Sequence, residues 1–320
     1  MKDPSTQKRV LLLGASGTIG QATLRALQDA GHAVTCFLRD GSKFRPGVGV
    51  ETFKGDVFAP APAFELSDYD AVVSCMASRS GMPDDAWAVD HDAHLAVLDA
   101  AQSAGVARFV LLSALCVQQP ELPFQRAKLA FEAKLQESGL TYSIVRPTAF
   151  FKSLSGQVAR VQSGKPFLLF GDGRLTACKP ISDDDLARFI AGCLTDPDRM
   201  NKVLPIGGPG PAITPLEQGQ ALFEILGRPP RFRRVPVVMM NVIIAGLSVA
   251  GLVSRAARDK AELARIGRYY ATHSMLVWDE AAFAYSENAT PETGADRLLD
   301  FYGALIRNEA RVDLGDHAVF

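Results

Sequence analysis

The run Val10-Leu11-Leu12-Leu13-Gly14-Ala15-Ser16-Gly17-Thr18-Ile19-Gly20 constrains this chain more than any other stretch. VLLL reads as a short buried strand, and three glycines follow in G-x-x-G-x-x-G spacing. A helical pattern then carries Ile19, Ala22, Leu24, Ala26 and Leu27 until Gly31 stops it. Strand, glycine turn and helix together suit a dinucleotide phosphate. Gly14 permits the tight turn, Gly17 lets the backbone approach the pyrophosphate, and Gly20 lets helix pack on strand. The helix N-terminus adds free N–H groups and a favourable dipole. Ser16, Thr18 and Ile19 complete the candidate cradle.

Further apolar runs recur at Ala33–Leu38, Val50–Lys54, Ala71–Cys75, Arg108–Leu112 and Tyr142–Arg146, with helical patterns between several of them. Strands alternating with helices predict an α/β fold, a Rossmann-type doubly wound parallel sheet. Residues 1–148 are expected to form the NADP-binding domain. Residues 149–320 are expected to form a smaller C-terminal substrate lobe packed on it. Hydrophobic residues make up 48% of the 320 and charged residues 22%, enough for a large core. The net charge of -1 excludes a basic field for nucleic acid. Five scattered cysteines without a C-x-x-C pair point to a reduced, intracellular setting. Only Met1 to Arg9 precede the first strand, so the protein is expected to work where it is made.

The glycine spacing resembles the extended and atypical short-chain dehydrogenase/reductases. Where the second strand ends, such folds choose their cofactor: an acid holds the ribose of NAD, a base the 2′-phosphate of NADP. Arg39 comes first here, with Lys43 and Arg45 behind it, which favours NADPH, although Asp40 stands alongside. The resemblance further implies that Asp56 and Val57 contact the adenine end. On the same resemblance Met76, Ala77 and Ser78 are expected to line the cofactor. It likewise implies that Ser113 assists catalysis and that Arg146, Pro147 and Thr148 flank the nicotinamide. Asp56 is also readable as an ordinary turn cap. The superfamily's Y-x-x-x-K pair falls on Phe124 and Lys128, so the lysine is present and the phenol is missing. Lys128 is the main catalytic candidate; it either holds the ribose hydroxyls or also feeds a proton. A helix is expected over Asp85–Ala104, with His91 and His94 on a solvated or interface face and no metal bound.

Beyond Thr148 the parallel pattern loosens. Gly164–Ile181 reads as glycine-rich with short strands, and helices are expected over Asp183–Leu194 and Thr214–Leu226. Thr214-Pro215-Leu216-Glu217 is a helix start with cap, N1 proline and acid. Val235–Val253 is uncharged, with Arg231, Arg233 and Arg234 before it and Arg255 and Arg258 after. It reads as a buried or pocket-lining helix, a helix lying on anionic lipid, or a short span.

The blocks LCVQQPELPFQRAKLAFEAKL, SIVRPTAFFKSLSGQV, FGDGRLTACKPIS, LPIGGPGPAITPLEQG, RIGRYY and the final LGDHAVF resemble the NADPH-dependent divinyl chlorophyllide a 8-vinyl reductases. The likeness runs from Val10 to Phe320. It implies an oxidoreductase of chlorophyll or bacteriochlorophyll synthesis that reduces a pigment's 8-vinyl group to ethyl. The short stretch before Val10 departs from the plant members and looks bacterial, so a cytoplasmic protein is expected, with peripheral contact at the photosynthetic membrane if Val235–Val253 lies on lipid. The missing tyrosine is a trait of that family. A flat pigment needs a wide apolar slot, for which Phe150, Phe151, Phe167, Phe170, Tyr269 and the Val235–Val253 helix are candidates, the aromatics reading equally well as plain core. Two other functions fit the same motifs: an isoflavone-reductase-like enzyme on another conjugated substrate, and a non-catalytic NADPH-binding sensor or assembly factor.

Overall fold

The computed structural model describes residues 7–39, 42, 44–47, 49–58 and 66–310. Asp40, Lys43 and the final LGDHAVF lie outside the described residues. Seven strands form one parallel sheet: β1 (Arg9–Leu13), β2 (Ala33–Arg39), β3 (Glu51–Gly55), β4 (Ala71–Ser74), β5 (Arg108–Leu112), β6 (Thr141–Pro147) and, after a short outlying β7 (Phe167–Phe170), β8 (Lys202–Ile206). Their spatial order is β3-β2-β1-β4-β5-β6-β8. The order reverses between β1 and β4, which is where doubly wound sheets bind dinucleotides.

β1 shows why the sheet holds. Strand side chains alternate, so Val10 and Leu12 enter the core on one face and Leu11 and Leu13 on the other. Each such fully buried leucine is worth roughly 1.5–3 kcal/mol. On the first face lie α1 (Thr18–Asp29), through Leu24 and Leu27, and a later helix, through Leu186 and Ile190. The second face is covered by a helix that contributes Val97, Leu98 and Ala101, and by another that contributes Phe131 and Leu135.

The Asp85–Ala104 helix forms in three pieces: α2 (Pro83–Ala86), a π-helical stretch (Trp87–Ala93) and α3 (His94–Ser103). The wider turn carries Asp90 and His94 inward together, both buried. His94 is therefore not on a solvated face. α4 (Pro123–Glu137) follows β5, and its start is fixed by Gln125, whose side-chain oxygen accepts from the Glu121 and Leu122 amides at 2.8 Å each.

Residues beyond 148 both return to the sheet and build a second core. α5 (Phe151–Leu154) and α6 (Val158–Gln162) precede β7, and α7 (Asp183–Gly192) packs along α1. α8 (Pro215–Ile225) begins in the expected capping box of Thr214 with Glu217. β9 (Phe232–Val235) pairs in parallel with β7. Phe151, Phe167, Leu222, Phe223 and Tyr302 fill this core with α11 (Leu298–Ile306), so Phe151 and Phe167 are packing residues and face no slot.

α9 (Val237–Ala250) and α10 (Arg255–Thr272) form a hairpin. No residue of α9 is buried, which rules out the buried-helix reading of Val235–Val253. Fourteen residues rise only about 21 Å, short of a hydrocarbon core of roughly 30 Å. Among the described residues no helix is long and apolar enough to cross a membrane.

Candidate functional site

The site begins where β1 turns into α1. Gly14 has φ +75°, and a Cβ there would stand 2.6 Å from the Cys75 carbonyl. A Cβ on Gly20 would stand 2.1 Å from the Gly14 oxygen, so that glycine sets how closely helix meets strand. Gly17 differs: a Cβ would meet only the Gly14 oxygen, at 3.4 Å. Its bareness leaves room for an outside group rather than for the chain. No side chain caps α1 and no acid lies in its first turn, so the helix N-terminus is open to an anion. These features fit a dinucleotide pyrophosphate. Ser16 and Thr18 are exposed here, and Ile19 anchors the turn in the core. Lys152 of α5 donates to the Thr18 hydroxyl at 3.0 Å, placing an ammonium at this mouth. It was invisible to motif reading because it arrives from 134 residues away.

Arg39 ends β2, exposed and in register with Gly55. Burial works against the charged form of Asp85, but the Ser80 amide and hydroxyl and the charge of Arg39 outweigh it and lower its pKa. Arg45 turns back on its own loop, donating to the Ser42 and Phe44 carbonyls. Asp56 accepts from the Phe58 amide at 3.1 Å, the turn-cap role, and Val57 and Met76 are half-buried against the core.

Lys128 reaches Asp90 at 2.9 Å; the lysine side chain is 12% exposed and the carboxylate 0%. Asp90 also accepts from the Ser78 amide at 3.2 Å and hydroxyl at 2.6 Å, so one buried acid joins the loop after β4 to α4. One turn further along α4, Glu132 receives the Ser113 hydroxyl and pairs with Arg146. The only proton of Ser113 is thereby committed to Glu132, and Arg146 faces α4. Pro147 pairs with Ile206, and the buried Thr148 hydroxyl donates to the Lys179 carbonyl.

Where the superfamily places its phenol, Phe124 packs with Ala86, Cys116, Leu122, Ile266 and Tyr269. Gly81 fits against the same wall: a Cβ there would stand 3.1 Å from Ile266 and 3.7 Å from Phe124. Tyr269 is buried, and its hydroxyl lies 2.9 Å from the Cys116 carbonyl and 3.1 Å from that of Gln119. Burial raises its pKa further. It is neither an open substrate contact nor a ready acid. Its neighbour Tyr270 keeps part of its ring exposed, but its hydroxyl is buried 3.8 Å from the Cys116 sulfur, and that burial raises its pKa well above the usual range. Phe150 and Phe170 remain half-buried.

His94 is buried beside Ser74 of β4 and Phe131 of α4. Its Nδ1–H donates to the Val89 carbonyl at 2.8 Å, which leaves Nε2 to accept the Ser74 hydroxyl proton at 2.8 Å. Burial, then the nearby Lys128 charge, holds its pKa down at about 4. The unfolded value is about 6.5, so between these two the unfolded chain takes a proton that the native state refuses. Stability is expected to be full above about pH 6.5 and to fall by about 3 kcal/mol toward pH 4 from this group alone. His94→Gln should be less stable near neutrality, yet its urea midpoint should drop less on acidification. Equal acid sensitivity in both proteins would refute the assignment.

The described residues hold no group of three or more metal-type side chains. An NAD(P)H-binding family model matches residues 14–197. A divinyl chlorophyllide a 8-vinyl-reductase of Oryza sativa subsp. indica, a chloroplastic protein, is 46% identical over 98% of this chain and 83% of its own length. A photosystem II assembly factor, Ycf39 of Guillardia theta, is 29% identical over 62% of this chain and 64% of its own. Among solved structures, the NADPH complex of quinone oxidoreductase QOR2 from Escherichia coli matches with TM-score 0.65 at 18% identity. That match covers 93% of this chain and 99% of the other, and shows the shared fold.

Proposed function

The chain belongs to the divinyl chlorophyllide a 8-vinyl-reductase family of NAD(P)H oxidoreductases, and from that premise we propose that it reduces the 8-vinyl group of divinyl chlorophyllide or its protochlorophyllide precursor with NADPH. The observation that carries this reading is the site's asymmetry. The lysine is kept and fixed on Asp90, while the phenol's place is taken by Phe124 against an apolar wall.

A bound nicotinamide supplies hydride. An isolated alkene accepts hydride poorly, but a vinyl group conjugated to a macrocycle spreads the resulting negative charge into the ring. The pigment then acts as its own electron sink and needs no strong acid beside it, so a phenol can be absent. The half-buried Ile266 and the ring of Tyr270, with the buried Phe124 behind Ile266, would give such a ring apolar neighbours. Gly14, Gly17, Thr18 and Lys152 would hold the phosphates, with Gly20 keeping the helix close to the strand, Arg39 would hold the 2′-phosphate and Lys128 the ribose.

The test is optical. Divinyl chlorophyllide with enzyme and NADPH should show a shift of its Soret band to that of the ethyl product. An unchanged band with tight NADPH binding would favour the assembly-factor reading, which the partial likeness to Ycf39 supports. Arg39→Ala should raise the KM for NADPH roughly ten- to a hundredfold, since charge-assisted bonds are worth about 1.5–3 kcal/mol, and barely alter NADH use. Equal losses with both cofactors would remove the preference for NADPH.

A further inference from the structure

We propose that the α9–α10 hairpin is a docking surface for an anionic lipid bilayer, on which the protein lies without crossing it. α9 is apolar along its length yet has no buried residue. Val238, Val242 and Val249 follow one another at helical spacing on its outer side and are 66–69% exposed, and Val253 in the turn after it is 93% exposed. Leu252, at the tip before α10, is 79% exposed. Among the exposed positions of 237–253, Asn241 is the sole polar side chain. The inner edge is occupied: Arg265 of α10 donates to the Ser248 hydroxyl at 2.8 Å. The patch is therefore an outward face that the fold leaves bare, and contiguous bare apolar faces mark interaction sites.

Charge selects the occupant. Arg231, Arg233 and Arg234 stand before α9 and Arg255 and Arg258 after it, all five exposed. No Asp or Glu occurs from 231 to 258, in a chain whose net charge is only -1. An apolar face rimmed by arginines matches the boundary of an anionic leaflet, where acyl chains receive valines and headgroups receive guanidinium groups. A second copy fits poorly, because a two-fold interface would bring this arginine rim against itself. α9 is also too short to span, as its length shows. The hairpin carries Ile266 to the Phe124 wall, so docking would bring the candidate cleft near the lipid.

Vesicle flotation without pigment tests this independently of the reaction. The full chain is expected to float with phosphatidylcholine vesicles containing phosphatidylglycerol, and to remain below with phosphatidylcholine alone. Salt at about 1 M, where the screening length is about 3 Å, should release most of it. Arg234→Gln with Arg255→Gln should lower partitioning roughly ten- to thirtyfold. Val242→Glu with Val249→Glu should abolish it, while NADPH binding followed by nucleotide fluorescence stays unchanged in both variants and reports intact folding. Three results would overturn the proposal: no flotation, equal flotation with neutral vesicles, or a concentration-dependent dimer that Val242→Glu dissolves in the absence of lipid binding.

Discussion

Lys128→Met should cost about 3–5 kcal/mol of stability, because it strands Asp90 as a fully buried carboxylate without its cation. Adding Asp90→Asn should recover most of that loss, since the amide still accepts the Ser78 hydroxyl and carries no charge. This double variant separates folding from function. If Lys128 holds the ribose, the KM for NADPH rises ten- to a hundredfold while turnover at saturation stays within a few-fold. That is the expected outcome, because the lysine is fixed by an ion pair and has no phenol partner to activate. A fall in turnover of about 10²–10⁴ with unchanged nucleotide affinity would instead make Lys128 the proton source. Near-normal values of both would remove it from the site altogether.

Glu132→Leu should be comparably destabilising, by about 3–5 kcal/mol, for the same physical reason with the charges exchanged. Arg146, with its side chain 18% exposed, would lose the carboxylate that neutralises it, and Ser113 its acceptor. Replacing Arg146 by Met as well should bring stability back toward the parent protein. Ser113→Ala alone should cost only about 1–2 kcal/mol, and turnover should stay within a few-fold. Thermal unfolding and steady-state rates measured together decide the matter. A large loss of turnover at unchanged Tm would return Ser113 to catalysis.

The sheet was legible because its signals are local. VLLL, the glycine spacing and the Thr214–Glu217 box act over a few residues, and each stands where turn chemistry and alternation place it. Long-range partners left no such trace. Nothing in Lys202–Ile206 marks it as the strand beside β6, and nothing in Lys152 announces its contact with Thr18. The ion pair of Lys128 with Asp90 spans 38 residues and depends on a π-helical turn inside what reads as one regular helix. Adjacent tyrosines divided in the same way. Tyr269 met two backbone carbonyls and Tyr270 the surface, a difference of 100° around one helix axis that composition cannot set. The sequence by itself determined the nucleotide fold, the missing phenol at Phe124 and the apolar, arginine-flanked character of Val235–Val253. Only the tertiary structure decided that Ser113 and Arg146 serve Glu132, and that α9 is left outside every core. Hydrophobicity states what a segment would gain by burial; whether any neighbour arrives to bury it is a property of the whole chain's packing.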